Sequence, residues 1–334
     1  MPRAIPLLVI SGPTATGKTE AALRVARSVD GEIISADSMQ IYRELSIGTA
    51  KPGPAQRRMA RFHLVDCVDL DEPYTVADFR RDAEAAIARC WGAGRLPILC
   101  GGTGLYIRAV LQGFDFPPSQ PARQAVVRGE LQDELVRTGP EAMHEKLKQV
   151  DPASADRICV ADTKRVVRAL EVFRLTGEPM SALGRVDART QVKYNSLHYV
   201  LTRPRPALYC GIERRVDRMM SAGWLGEVKS IHEQGHRPTL QSLQAIGYRH
   251  LMQWLLSGRT GGTASDLQQV VEAIKRQTRR FAKRQLTWFR RDTVAIWRQW
   301  DTPCEFSRAT QEMCIQAYRL AVAGGLTSAR SDTQ

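Results

Sequence analysis

The sequence predicts an α/β protein with a P-loop core, a parallel sheet flanked by helices, and an added α-helical insertion domain. Three observations carry this. Short apolar runs alternate with helical patterns through the N-terminal third. The first run, Ile5 to Ile10, leads into Gly12-Pro13-Thr14-Ala15-Thr16-Gly17-Lys18-Thr19, the G-x-x-x-x-G-K-T spacing of a phosphate-cradling loop. Past the prolines of Phe116-Pro117-Pro118-Ser119-Gln120-Pro121 the periodicity becomes helical for a long stretch.

The elements follow in order. The helix opened by Lys18 carries Ala22, Val25, Ala26 and Val29 at helical spacing. Glu32-Ile33-Ile34-Ser35 reads as a second strand, leading to Asp37. Thr75 is a helix cap with Asp78 three residues on as capping-box partner. The helix behind it shows Phe79, Ala83, Ala86, Ile87 and Cys90 on one face and stops at Gly92 and Gly94. Leu96 to Cys100 is a buried strand, and Gly101-Gly102-Thr103-Gly104 opens the next helix. Leu131, Leu135, Met143 and Leu147, then Val166, Val167, Leu170 and Phe173, mark helices of the insertion. Tyr199 to Thr202 is a strand returning to the core. The expected division is 1–120 for the first part of the core and 121–189 for the helical insertion. Residues 190–320 are the second part, and 321–334 a frayed tail. In parallel sheets of this kind ligands sit at the carboxyl ends of the strands, so the P-loop, Asp37 and Thr103 should converge.

A length of 334 residues favours two domains, and 43% hydrophobic residues support a folded core. No apolar stretch reaches membrane-spanning length, and the strand begins too early for a signal peptide. The seven cysteines are scattered and never form C-x-x-C. That points to free thiols in a reducing cytoplasm and away from a zinc site or a disulfide scaffold. The net charge of +13 asks for a polyanionic partner if the charge is clustered. It is: Lys275 to Arg291 holds eight cations and no acid. Lys275, Arg279 and Lys283 form one i,i+4 row and Arg276, Arg280 and Arg284 the next, a pattern suited to a phosphate backbone as well as to a solvated face. Lys164-Arg165-Val166-Val167-Arg168 is a weaker second cluster.

The P-loop implies a bound polyphosphate or pyrophosphate. Its backbone N–H groups and Lys18 face the anion, and the Thr19 hydroxyl reaches a phosphate-bound Mg²⁺. Asp37 fits a catalytic carboxylate or a simple turn aspartate, and Thr103 a site residue or a helix cap. The strand ending at Cys100 is followed by glycine, not by the acid with which P-loop NTPases hold Mg²⁺. That weakens an ATP-hydrolysing reading of this nucleotide-binding type of loop.

These residues carry a resemblance. The P-loop, Asp37 to Tyr42, Gly48-Thr49-Ala50-Lys51-Pro52, Asp78-Phe79-Arg80, Gly101 to Tyr106, Arg168 to Val172, Ala245 to Arg249 and Lys283 to Arg290 occur in the order seen in the bacterial tRNA dimethylallyltransferase family. The resemblance implies transfer of a dimethylallyl group from dimethylallyl diphosphate to the exocyclic amine of the adenosine 3′ to the anticodon, with release of diphosphate. It implies that Gly12, Pro13, Thr14, Ala15, Thr16, Gly17, Lys18, Thr19 and Arg215 bind the diphosphate, with Mg²⁺ on Thr19. Asp37 would be the catalytic base, accepting a proton from the attacking amine, and Thr103 would help position the adenine or the diphosphate. The implied tRNA contacts are Asp37, Ser38, Met39, Gln40, Thr103 and Arg128, with Lys164, Arg165, Val166, Val167 and Arg168 in the insertion. Gln244, Ala245, Ile246, Gly247, Tyr248 and Arg249 form a third group. Lys283, Arg284, Gln285, Leu286, Thr287, Trp288, Phe289 and Arg290 complete the set. The expected partners are the tRNA anticodon stem-loop and dimethylallyl diphosphate, for a cytoplasmic monomer with no membrane partner. Gly211 stands where the family usually has a basic residue and Gln244 where an arginine is common. The eukaryotic relatives' C-terminal zinc finger is missing. Competing readings are a small-molecule P-loop kinase, a transferase acting on free adenine nucleotides, and a non-catalytic RNA-binding module. ATP turnover, dependence on tRNA-sized substrates, and any turnover of dimethylallyl diphosphate separate them.

Overall fold

The computed structural model describes residues 4–113, 121–182, 193–257 and 264–326. Six strands, β1 (Ile5–Ser11), β2 (Glu32–Ser35), β3 (Phe62–His63), β4 (Pro97–Gly101), β5 (Tyr194–Thr202) and β6 (Ile296–Gln299), form one sheet. Their order is β3-β2-β4-β1-β5-β6, and every pairing is parallel. The register sets Leu8 beside Ile98 on one side and Leu197 on the other. β3 and β6 were not anticipated. Two residues, and a run as polar as Ile296-Trp297-Arg298-Gln299, give no alternation to read. β5 also starts earlier than expected, at Tyr194.

Both faces of the sheet are covered, so its strands are apolar throughout rather than alternating. On one face Leu8, Ile10, Ile33, Ile98 and Leu201 pack against α1 (Lys18–Val29), with α2 (Pro54–Met59) following β2 in the chain. On the other, Leu7, Val9, Ile34, Leu99 and Val200 meet α3 (Val76–Gly92) through Phe79, Ala83 and Ile87, and α4 (Gly104–Gln112) through Tyr106 and Ile107. Thr75 does cap α3, its hydroxyl accepting from Asp78 N while the Asp78 carboxylate accepts from Thr75 N. Phe79 stacks on Tyr106 with centroids 4.0 Å apart.

The chain divides into two compact units, residues 1–111 with 192–334, and residues 112–191. The second contains α5 (Pro121–Val150), broken at Gly139-Pro140, α6 (Pro152–Ala155) and α7 (Thr163–Thr176). Its own core is Leu131, Met143, Leu147, Ile158, Val166 and Leu170. The proline-rich boundary expected at 116–120 and the limit at 189 lie outside the described residues. The first unit resumes with β5 and adds α8 (Arg205–Ser221), α9 (Trp224–Glu233), α10 (Tyr248–Leu256) and α11 (Ala264–Phe289) on the α3 face. It closes with α12 (Pro303–Gly324) on the α1 face. The tail expected from residue 321 does not start there. α12 continues to Gly324 because Ala321 is still in the core, and Leu326 is buried after the Gly325 cap. The rest of that expected tail lies outside the described residues.

Two polar clusters are buried between the elements. The Asp292 carboxylate lies 2.8 Å from His198 Nδ1, and His198 Nε2 lies 2.7 Å from the Ser11 hydroxyl. A carboxylate can only accept, which puts the proton on Nδ1 and leaves Nε2 to accept from Ser11. Burial lowers the His198 pKa against the pull of Asp292. Ser11 is fully buried, so this acid–imidazole–hydroxyl row is a strut between β1, β5 and the segment after α11. At the other end of the sheet Glu32, His63 and Cys90 satisfy one another, with 2.6 Å between His63 Nε2 and the Glu32 carboxylate.

Trp224 is the largest fully buried side chain and sits against two glycines. A Cβ on Gly48 would lie 2.1 Å from its indole nitrogen, and one on Gly247 1.9 Å from its Cη2. Gly247 also has φ +92°. Gly247→Ala should therefore destabilise the protein by about 2–3 kcal/mol, from overpacking plus a left-handed backbone. Urea unfolding followed by tryptophan fluorescence measures it. A shift below about 0.5 kcal/mol would show that the indole is free to move.

Candidate active site

The P-loop leaves β1 through Gly12, whose φ of +137° carries the chain past Leu201; a Cβ there would lie 2.2 Å from the Leu201 carbonyl oxygen. Ala15 and Gly17 are left-handed, and Gly17 is the N-cap of α1. The Thr16 hydroxyl donates to the Pro13 carbonyl at 2.8 Å, and Trp300 Nε1 donates to the Thr16 carbonyl at 3.0 Å. The loop is thus held from inside and outside, with the N-terminal end of α1 behind it. Lys18 Nζ donates to the Pro13 carbonyl at 2.6 Å. Thr14 N–H donates to the side-chain oxygen of Gln285 at 3.0 Å, so this amide of the loop is already engaged.

Asp37 follows β2. Its carboxylate accepts from Met39 N at 2.9 Å, an Asx turn. Thr103 follows β4: its hydroxyl oxygen accepts from Ser38 N at 3.1 Å, and its N–H donates to the Ala36 carbonyl at 3.1 Å. Thr103 therefore pins the turn that carries Asp37, and it is not a simple helix cap. Gln40 is equally tied, accepting from the Ser35 hydroxyl and donating to the Thr49 and Ala50 carbonyls.

These loops end three neighbouring strands, β2, β4 and β1, and open into one cavity of about 410 Å³. Lys18, Thr19, Asp37, Thr103 and Arg215 line its polar side. Val216, Met219, Trp224, Ile246 and Phe281 line an apolar side. That apolar wall was missed in the sequence. Its one signal was the i,i+4 pair Arg215 and Met219 on a single face of α8. Arg215 reaches the Thr49 carbonyl at 3.3 Å. Burial lowers the Lys18 pKa to about 8; Arg215 acts in the same sense and Asp37 against it. Burial likewise lowers Arg215, again opposed by Asp37, and pushes the Cys100 thiol at the cavity floor up to about 12. Two desolvated cations face one carboxylate, so a multiply charged anion would restore the balance.

The structure places the expected contact residues in different surroundings. Within the basic segment Lys275 is buried between Asp217 at 2.8 Å and Glu272 at 3.0 Å, and Arg279 binds Glu213 at 2.5 Å. Two cations of this row are thus neutralised, by Asp217 and Glu213 of α8 and by Glu272 of α11 itself, and the third, Lys283, is not. Gln285 and Phe289 are buried, Leu286 packs towards α8, and Trp288 lies against Gly104. Arg276, Arg280, Lys283, Arg284, Thr287 and Arg290 are exposed, and none of these cations meets an acid among the described residues. Gln244, Ala245 and Ile246 line the cavity, and Arg249 is exposed. Gly247 and Tyr248 are buried. The Tyr248 hydroxyl donates to Glu227 at 2.5 Å and accepts from Gly48 N. In the other unit Val166 and Val167 belong to the core, though Val167 also lines a small cavity beside Arg128, Lys164 and Arg168. Arg128 and Arg168 both bind the fully buried Glu171 carboxylate, Arg128 at 2.8 and 3.1 Å. Only Lys164 and Arg165 of that cluster are exposed without a buried partner. A periodic pattern tells apolar from polar faces, but it does not reveal which cations will find acids on another helix.

Comparison with known proteins follows the same lines. The chain matches the family model described as IPP transferase over residues 40–292, and that described as Isopentenyl transferase over residues 5–72. It is 44% identical over 308 residues to a tRNA dimethylallyltransferase of Pelotomaculum thermopropionicum, covering 92% of this chain and 95% of that protein. It is 43% identical over 309 residues to one of Symbiobacterium thermophilum, covering 92% and 94%. Among solved structures it is similar to the full-length tRNA isopentenylpyrophosphate transferase of Bacillus halodurans. The TM-score is 0.68 and the identity 36%, over 96% of this chain and 98% of that one.

The cavity's electrostatics predict a pH dependence. An amine with a pKa of about 8 is charged at pH 7 and mostly neutral at pH 9. An anion bound against it raises that pKa, so binding takes up a proton and weakens as pH rises through 8. Affinity for dimethylallyl diphosphate, without RNA, should fall about tenfold from pH 7 to pH 9. Titration calorimetry at the two pH values measures it. Lys18→Ala should bind more weakly and lose this dependence. A wild-type affinity that is flat across the interval contradicts the assignment.

Proposed function

The chain belongs to the IPP transferase family, and on that premise we propose that it is a tRNA dimethylallyltransferase acting on the adenosine 3′ to the anticodon. The observation that carries this reading is the cavity, with Asp37 and the P-loop on one side and an apolar wall on the other. The wall suits a five-carbon group, and Lys18, Arg215 and the P-loop amides suit its diphosphate. In the reaction a bond forms between the adenine exocyclic nitrogen and the allylic carbon as that carbon's bond to the diphosphate oxygen breaks. Diphosphate leaves with the electron pair, and the amine proton passes to the Asp37 carboxylate. Thr103 holds the Asp37 turn in place for that transfer. The Thr19 hydroxyl and the substrate's own phosphates would offer the hard oxygen ligands that Mg²⁺ prefers. When bound there, the ion would offset the charge of the leaving diphosphate.

The exposed cations of α11 would take the RNA backbone. Lys164 and Arg165 would do the same from the insertion, which this reading assigns to the tRNA and not to the prenyl donor. The target base must leave its stack to enter a buried cavity. We also take the protein as a cytoplasmic monomer without a membrane partner; among the described residues no helix is long and apolar enough to cross a membrane. The direct test is incubation with dimethylallyl diphosphate, Mg²⁺ and unmodified tRNA, followed by nucleoside mass spectrometry. A single five-carbon addition to adenosine in tRNA supports the reading. ATP turnover without prenyl transfer would favour a kinase, and modification of free adenine nucleotides alone a different transferase.

Asp37→Asn should leave tRNA affinity nearly intact and slow single-turnover transfer by about 10²–10⁴-fold, the scale for loss of a general base. A near-normal rate removes Asp37 from that role. Arg280, Lys283 and Arg284 changed together to Ala should weaken tRNA binding. The salt slope of log affinity should drop by up to about one unit per contact, with a smaller effect on the rate at saturating tRNA. An unchanged slope would return this face to solvent.

A further inference from the structure

Gln285 lies on the cationic helix, yet its side chain points away from the cationic face and is buried. Its oxygen accepts from the Thr14 N–H of the P-loop at 3.0 Å, and its nitrogen donates to the Gly102 carbonyl at 2.9 Å. The partners fix the orientation of the amide, since an N–H can only donate and a carbonyl can only accept. The contact is tight: a Cβ on Gly102 would lie 2.4 Å from the Gln285 nitrogen. The next residue, Thr103, holds Ser38 N and with it the Asp37 turn. One amide thus joins the loop that faces the leaving group to the loop that carries the base. Trp288, one turn on, seats the same face of α11 against Gly104.

We propose that Gln285, although it stands in the cavity wall, is a positioning residue, which sets the spacing between the P-loop and the Asp37–Thr103 pair through its two hydrogen bonds rather than by contact with either substrate. This differs from the RNA contact that the family resemblance implies for it. It rests on the transferase reading: wild-type protein that transfers no dimethylallyl group would sink that reading before any variant is compared. The job needs one acceptor and one donor on the same small group. Leucine supplies neither. Glutamate, when ionised, only accepts and would face the Gly102 carbonyl with a like partial charge. When protonated it supplies both, and burial raises the pH at which it does so.

The experiment compares Gln285→Leu and Gln285→Glu in tRNA binding and in transfer rate at saturating substrates. Gln285→Leu should bind tRNA within about twofold of wild type and transfer about 10–100-fold more slowly, the scale of misplaced reacting groups. Gln285→Glu should be as slow at pH 8 and should recover relative to wild type as pH falls towards 6. The wild-type rate over the same range is the reference for that recovery. Gly102→Ala, which displaces the amide, should be slow too, and no slower when combined with Gln285→Leu. Loss of tRNA affinity with a normal saturating rate would make Gln285 an RNA contact and overturn the proposal. So would a Gln285→Glu defect that does not change with pH, which would mean packing alone. If Gln285→Leu does not fold, the pH profile of Gln285→Glu decides by itself.

Discussion

Lys18, Arg215 and the P-loop amides surround a space in which, among the described residues, the only carboxylate is Asp37, and the rest of the structure is organised to hold that imbalance in place. A folded protein tolerates two desolvated cations only where something else is rigid enough to keep them there. Here the rigid part is a parallel sheet covered on both faces. Its three neighbouring strands β2, β4 and β1 deliver three loops to one edge. These loops are tied down in turn: the P-loop by Trp300 and by its own Thr16, and the Asp37 turn by Thr103 of the loop after β4, while Glu227 holds the amides of Ser46 and Ile47 nearby. The charge that is missing from the cavity is the charge that a diphosphate would bring.

α11 serves two purposes with two faces. Its inner face supplies Gln285, Trp288 and Phe289 to the loops and core. One flank, Lys275 and Arg279, is bound by the acids of α8 and fixes the helix against its neighbour. The outer face keeps Arg276, Arg280, Lys283, Arg284 and Arg290 in solvent. Like charges at this spacing destabilise a helix slightly, and the packing of the inner face offsets that cost. The second unit shows the same economy on a smaller scale, where the buried Glu171 takes Arg128 and Arg168 and leaves Lys164 and Arg165 outside.

Much of the core was legible because the signals are local. The Gly12 to Thr19 spacing, the alternation of apolar runs with helical patterns, and the Thr75–Asp78 capping box all depend on residues within a few positions of each other. The short edge strands β3 and β6 escaped because they have too few residues to show a period. The convergence of the P-loop, Asp37 and Thr103 could be anticipated from the rule that ligands sit at strand carboxyl ends. That rule locates the loops but leaves open what each side chain does there.

The sequence by itself determined the α/β class, the phosphate loop, the aspartate and threonine beside it, and the presence of a cationic helix, since each is written in short-range spacing and residue type. Only the tertiary structure decided which cations are spent and which are free, because ion pairing depends on acids that another helix brings near. It likewise decided that Val166, Val167, Tyr248 and Phe289 are core, that Val216 and Met219 of α8 line an apolar wall, and that Gln285 bridges two loops. The reason is the same in each case: burial and hydrogen bonding are properties of pairs far apart in the chain, 271 positions for Gln285 and Thr14, and no local pattern encodes them.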